Sequence, residues 1–163
     1  MTKHDDIGSI TPANDERLFG DVAGLIESAR SRAAAALNSE LVMVYWSVGK
    51  RVREDVLGGE RAAYGQEVVK RLAARLTERY GRGYSRQSIF RMMRAAELYP
   101  EVEILSTLST ISNWSHFVEL LTLSDQRKRD FYAAFADHER WSVRTLRTKI
   151  AGKLYERTLA VME

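Results

Sequence analysis

The chain has 163 residues, 45% apolar and 29% charged, with a formal net charge of +3, a balance that suits one soluble domain with a sizeable core. It contains no cysteine, which excludes disulfides and thiolate metal sites and permits a reducing compartment, so a cytoplasmic location is expected. The opening MTKHDDIGSITPANDE is polar and acidic, unlike a secretory signal or anchor, and no run reaches the roughly 20 apolar residues of a membrane helix.

Only two prolines, Pro12 and Pro100, interrupt a sequence rich in Ala, Leu, Arg and Glu, which predicts an all-α helical bundle with a long N-terminal helix. Residues 1–14 read as a flexible lead-in and 15–163 as the helical domain. Asn14 or Asp15 is placed to cap the first helix, whose apolar stripe runs Leu18, Val22, Leu25, Ala29, Ala33, Ala36, Val44 and Val48 to about Val56. Unbroken, that helix has about 40 residues and spans ~60 Å. A small bundle cannot cover it all, so part of its apolar face is expected to meet a second copy or another domain. The alternative is a break near Asn38 and Ser39, giving two shorter helices.

The segment LGGERAAYG, 57–65, reads as a loop, with Gly49, Gly58 and Gly59 as sites for a kink or stop. A helix from near Gln66 then buries Val68, Val69, Leu72, Ala73, Leu76 and Tyr80. Gly81 ends it, 81–84 forms a turn, and Ser85 caps the next helix by accepting an orphan backbone N–H. In that helix Ile89, Met92, Met93 and Ala96 face one side, and Gln87, Arg91 and Arg94 the other. After Pro100 the pattern predicts short helical turns, one from Trp114 to Leu121. Ser124 or Asp125 caps a helix with Phe131, Tyr132 and Phe135 in its core stripe. Ser142 caps a final helix with Val143, Leu146, Ile150, Leu154 and Tyr155 inward.

The span 66–98 has the outline of a helix-turn-helix. Arg and Gln are the side chains that pair bidentately with guanine and adenine edges, so Gln87, Arg91 and Arg94 are the candidates to face bases. Arg82 and Arg86 are placed to grip phosphate, with Arg75 and Arg79 behind them, and Tyr84 either stacks or plugs the turn. Arg and Gln on a wet helix face also serve plain solubility. Against that reading, residues 61–98 hold nine basic groups and only Glu67, Glu78 and Glu97 as acids, while the whole chain sums to +3. The remainder is therefore net acidic, and such segregation marks a polyanion-binding surface.

Catalytic signals are sparse. His4, His116 and His138 are far apart without metal-ligand spacing, and His116, beside Trp114, reads as a packed or hydrogen-bonded core group. GRGYS lacks the spacing of a nucleotide-binding loop and follows a helix. None of Lys3, Lys50, Lys70, Lys128, Lys149 or Lys153 follows an acid by two places, the pattern restriction-type nucleases use beside magnesium. No cofactor, metal or catalytic residue is assigned.

YWSVGKRV (45–52), YGQEVVKRLAARLTERYGRGYSRQSIFRMMRAAELYP (64–100), NWSHFVELL (113–121) and RDFYAAFADHERWSVRTLRTKIAGKLYER (129–157) together resemble the N-terminal domain of the YhcG family, a bacterial domain of unknown function. The resemblance implies a helical DNA-binding region that in full-length relatives precedes a PD-(D/E)xK nuclease domain, so any catalytic residues of the family are expected to lie outside residues 1–163. The expected function is a nucleic-acid-binding module, for duplex DNA, that positions an associated nuclease domain or subunit. Homo-oligomerisation through the long first helix is expected, with no membrane partner. The competing expectation is a protein-interaction module built on that helix and on Trp46, Trp114 and Trp141, with a stand-alone enzyme as a third.

Overall fold

A computed structural model describes residues 12–57, 62–102 and 113–163. Among them every regular element is helical: α1 (Pro12–Leu57), α2 (Ala62–Tyr80), a 3₁₀ turn (Arg82–Tyr84), α3 (Arg86–Leu98), α4 (Trp114–Leu120), α5 (Gln126–His138), α6 (Val143–Ala151) and α7 (Leu154–Met162). The protein is all-α, with the long first helix its pattern predicts. The turns expected in 103–112, and most of the lead-in, lie outside the described residues.

α1 is continuous over 46 residues, so the break at Asn38 and Ser39 does not occur. Its first residue is Pro12, two or three positions ahead of the expected caps Asn14 and Asp15, because a proline at the first helical position needs no N–H and already holds a helical φ. The chain divides into two compact units, Met1–Ala36 and Leu37–Glu163. In the first, the described residues form one helical segment whose side chains are exposed throughout except for a half-buried Ala23.

The second unit contains three apolar clusters. Val42 and Trp46 of α1 pack with Ala95, Ala96, Tyr99, Phe117 and Leu121, and the Trp46 indole N–H donates to the Tyr99 carbonyl at 2.8 Å. Val52 of α1, Val69 and Ala73 of α2, and Ile89 of α3 form another. Leu120, Tyr132, Ala133, Ala136 and Leu146 join α4, α5 and α6.

Gly49, expected to permit a kink or stop, and Gly65, expected in a loop, are instead contact points. A Cβ on Gly49 would overlap the Met92 carbonyl, so α1 meets α3 at the only residue type that permits that distance. Gly65 lies inside α2, where a Cβ would come within 2.7 Å of Val56 Cγ1. Ala62 to Gly65 are accordingly helix, not loop.

The C-terminal pattern needs correction in two places. Phe135 is 39% exposed, while Arg129, Ala133 and Ala136 take buried places on α5. The single final helix is two, because Lys153 adopts a left-handed φ of 55° after the N–H of Gly152 has closed α6 on Thr148. Leu146 is fully buried, and Leu154 and Tyr155 across the break pack half-buried on its cluster.

Candidate nucleic-acid interface

The connection between α2 and α3 is set by local chemistry. Gly81 takes φ 93°, a left-handed value cheap for glycine, and its N–H donates to Thr77 O at 2.9 Å. The Thr77 hydroxyl donates to the Tyr84 carbonyl at 3.3 Å. Ser85 caps α3 by accepting the Ser88 N–H at 3.2 Å. Tyr84 is half-buried, edge-on to Tyr45 at 6.1 Å and against Tyr80 at 6.0 Å, so the ring plugs the turn. Burial, and then the neighbouring Tyr84, raise the Tyr45 hydroxyl above the ordinary phenol value.

α3 is divided lengthwise. Ile89, Met92, Ala95 and Ala96 are buried, and this inward face fixes which residues turn out. Arg86, Gln87 and Arg91 are exposed, as is Arg82 in the turn. Among the described residues no acid pairs with Arg75, Arg82, Arg86 or Arg91. Arg94 differs from expectation: it is half-buried and donates to Glu97 at 2.9 Å, an i, i+3 partner one turn ahead. Tyr80 is also outside its expected place, 60% exposed at the end of α2.

Phe90 is the residue the pattern did not single out. It lies 40% exposed, and at 100° per residue it falls between Arg86 and Gln87 on the outward face. Its apolarity masked it, since periodicity assigns a phenylalanine to the core by default.

The named cations do not form one patch. Arg75 and Arg79 line a 550 Å³ depression on α2 with Leu72, Leu76, Glu78 and Tyr80, and Arg79 lies 5.3 Å from the Tyr80 ring centroid. Arg91 opens instead onto a 430 Å³ cleft whose walls include Ser88, Trp114, Glu119 and Arg147. Arg147, which only the fold brings here, donates to Glu119 through Nε at 3.0 Å and Nη2 at 2.6 Å. Arg91 is thus the cleft's unpaired guanidinium.

His116 is structural, its Nδ1 2.8 Å from Asn113 Oδ1 and its Nε2 2.8 Å from the Trp141 carbonyl. Among the described residues no three His, Asp or Glu side chains are grouped to hold a metal ion, and no helix is long and apolar enough to cross a membrane.

These features define an all-helical module that exposes one arginine-rich helix face beside an aromatic-walled cleft. The sequence matches the DUF1016 N-terminal domain over residues 21–157, and the chain belongs to that family. It is 30% identical to a protein of Escherichia coli (strain K12) named "Putative nuclease YhcG", over 91% of this chain and 48% of that one. The chain therefore spans about half the length of this relative. No solved structure matches.

Proposed function

We propose that this chain is a duplex-DNA-binding module that places an associated nuclease domain on its substrate, with the second helix of a helix-turn-helix-like unit, α3, as its reading element. The observation that carries this reading is the outward face of α3: Arg86, Gln87, Phe90 and Arg91 exposed, with both arginines unpaired among the described residues. Arg91 and Gln87 face bases, Phe90 offers its ring to thymine methyls, and Arg82 and Arg86 hold phosphates. Arg94, shared with Glu97, is a weaker base contact that must first exchange its partner. Arg75 and Arg79 on α2 supply outlying phosphate contacts. The relative's name supports the nuclease association, and hydrolysis is assigned to the associated domain.

The test is a salt titration of duplex binding. With three or more phosphates neutralised, log K should fall against log salt with a slope of about −3 or steeper. A weak complex indifferent to salt between low and moderate ionic strength, or no complex at low salt, would overturn the proposal.

A further inference from the structure

We propose that residues 18–36 of α1 pair antiparallel with the same segment of a second copy of this chain. The register sets Phe19, Val22 and Ile26 of one copy against Ala36, Ala33 and Ala29 of the other. At 100° per residue these six share a face with Leu18 and Leu25. That face is bare: Leu18, Phe19 and Leu25 are 63%, 73% and 72% exposed. A contiguous apolar strip of this kind on a soluble helix marks an interaction surface.

Volume and charge both select the occupant. The large side chains lie in the N-terminal half of the strip and the alanines in the C-terminal half. A parallel pair would stack large on large and leave a gap between facing alanines, at a cost in packing. The antiparallel pair sets large against small at each of the three named layers, and one register satisfies all three pairs at once. The charges divide the same way. Asp15, Glu16 and Asp21 outnumber Arg17 at the first end, and Arg30 and Arg32 outnumber Glu27 at the second.

Asp21 and Arg32 border the strip along the same edge, eleven residues apart, or about 16 Å of helix, too far to meet within one chain. Antiparallel pairing brings like edges together, so Asp21 of each copy meets Arg32 of the other, twice by two-fold symmetry. Neither side chain makes an ion pair among the described residues. Arg30 reaches Glu27 only at 4.0 Å, with both side chains about three-quarters exposed.

Sedimentation equilibrium of the full chain at roughly 100 μM, well above a micromolar-range Kd, should show a dimer. Asp21→Arg, which sets two pairs of arginines against each other, should weaken self-association by about tenfold, and D21R/R32D together should restore it. Circular dichroism verifies that the variants remain helical. The native chain has no cysteine, so orientation can be read by cross-linking: V22C/A33C should oxidise to a covalent dimer, and V22C alone should not. A monomer at that concentration, failure of the double exchange to restore association, or efficient cross-linking by V22C alone would each overturn the proposal.

Discussion

The basic side chains of α2, its turn and α3 differ from those of α4 to α7 in what surrounds them. In the first region Arg75, Arg82, Arg86 and Arg91 reach solvent without an acidic partner among the described residues. In the second, three of the cations are committed to the fold. Arg147 forks onto Glu119, and Lys128 reaches Glu156 at 2.5 Å. Arg129, 3% exposed, donates to the carbonyls of Leu123 at 2.7 Å and Ser124 at 2.9 Å while lying 5.2 Å from the Tyr99 ring centroid. A guanidinium serves the fold when carbonyls or a sheltered carboxylate converge on it, and it is available to a ligand when they do not.

Replacing a committed arginine should therefore cost stability, and the largest effect belongs to Arg129→Ala. It removes a buried guanidinium, leaves two part-buried carbonyls without their donor and empties the space beside Tyr99, so unfolding free energy in urea should drop by about 3 kcal/mol. An unchanged denaturation midpoint would erase the distinction between the two regions.

The free arginines should give the reverse result, with folding untouched and binding lost. Arg91→Ala should cost about 1–3 kcal/mol on a preferred duplex and blur the choice of sequence, whereas Arg86→Ala should weaken all duplexes alike and reduce the salt slope by about one. Competition binding against two unrelated duplexes, with thermal melting as the folding control, separates them. Identical behaviour of the two variants on every duplex would contradict the division of α3 into reading and gripping residues.

This contrast was legible in the sequence only where it is local. The Ser85 and Ser142 caps, the stop at Gly81 and the inward Ile89 and Met92 follow from residues within one turn of each other, which is the range over which capping and periodicity act. The family resemblance was legible as well, because ordered motifs carry it through most of the chain. Long-range contacts were not. Arg129 looks like any solvated helix arginine until the carbonyls of the loop before α5 close on it. Gly49 looks like a hinge until α3 crosses it. Arg147 enters the cleft beside Arg91 because α6 folds back toward α4, and no spacing announces that.

Arg147→Ala should give a smaller loss of stability than Arg129→Ala, since the guanidinium is 64% exposed, although the Glu119 side chain beneath it is only 14% exposed and is left unpaired. The loss should shrink in high salt, as surface pairs do, and chemical denaturation at two ionic strengths reads it.

The smallest effect is one of pH. The hydrogen bond from Lys128 holds the Glu156 carboxyl below its ordinary value, and the same bond raises the Lys128 ammonium. A carboxylate whose folded value is depressed contributes stability that is whole above its unfolded value, about 4.3, and that is lost as pH falls through the folded value. A raised ammonium behaves in the opposite sense, contributing fully below about 10.4 and losing its contribution as pH rises through the folded value. The pair should therefore support a shallow plateau that declines at both ends. The alkaline limb is shared with Tyr99, whose hydroxyl is pushed up chiefly by burial against the opposing charge of Arg129 and so also loses its contribution above about pH 10. The acid limb is the cleaner reading. Glu156→Gln should flatten melting temperature against pH below about 5 while leaving duplex binding at neutral pH unchanged. A parallel loss of DNA affinity would show that the committed cations of α5 to α7 also face the ligand, and the two regions would have to be treated as one surface.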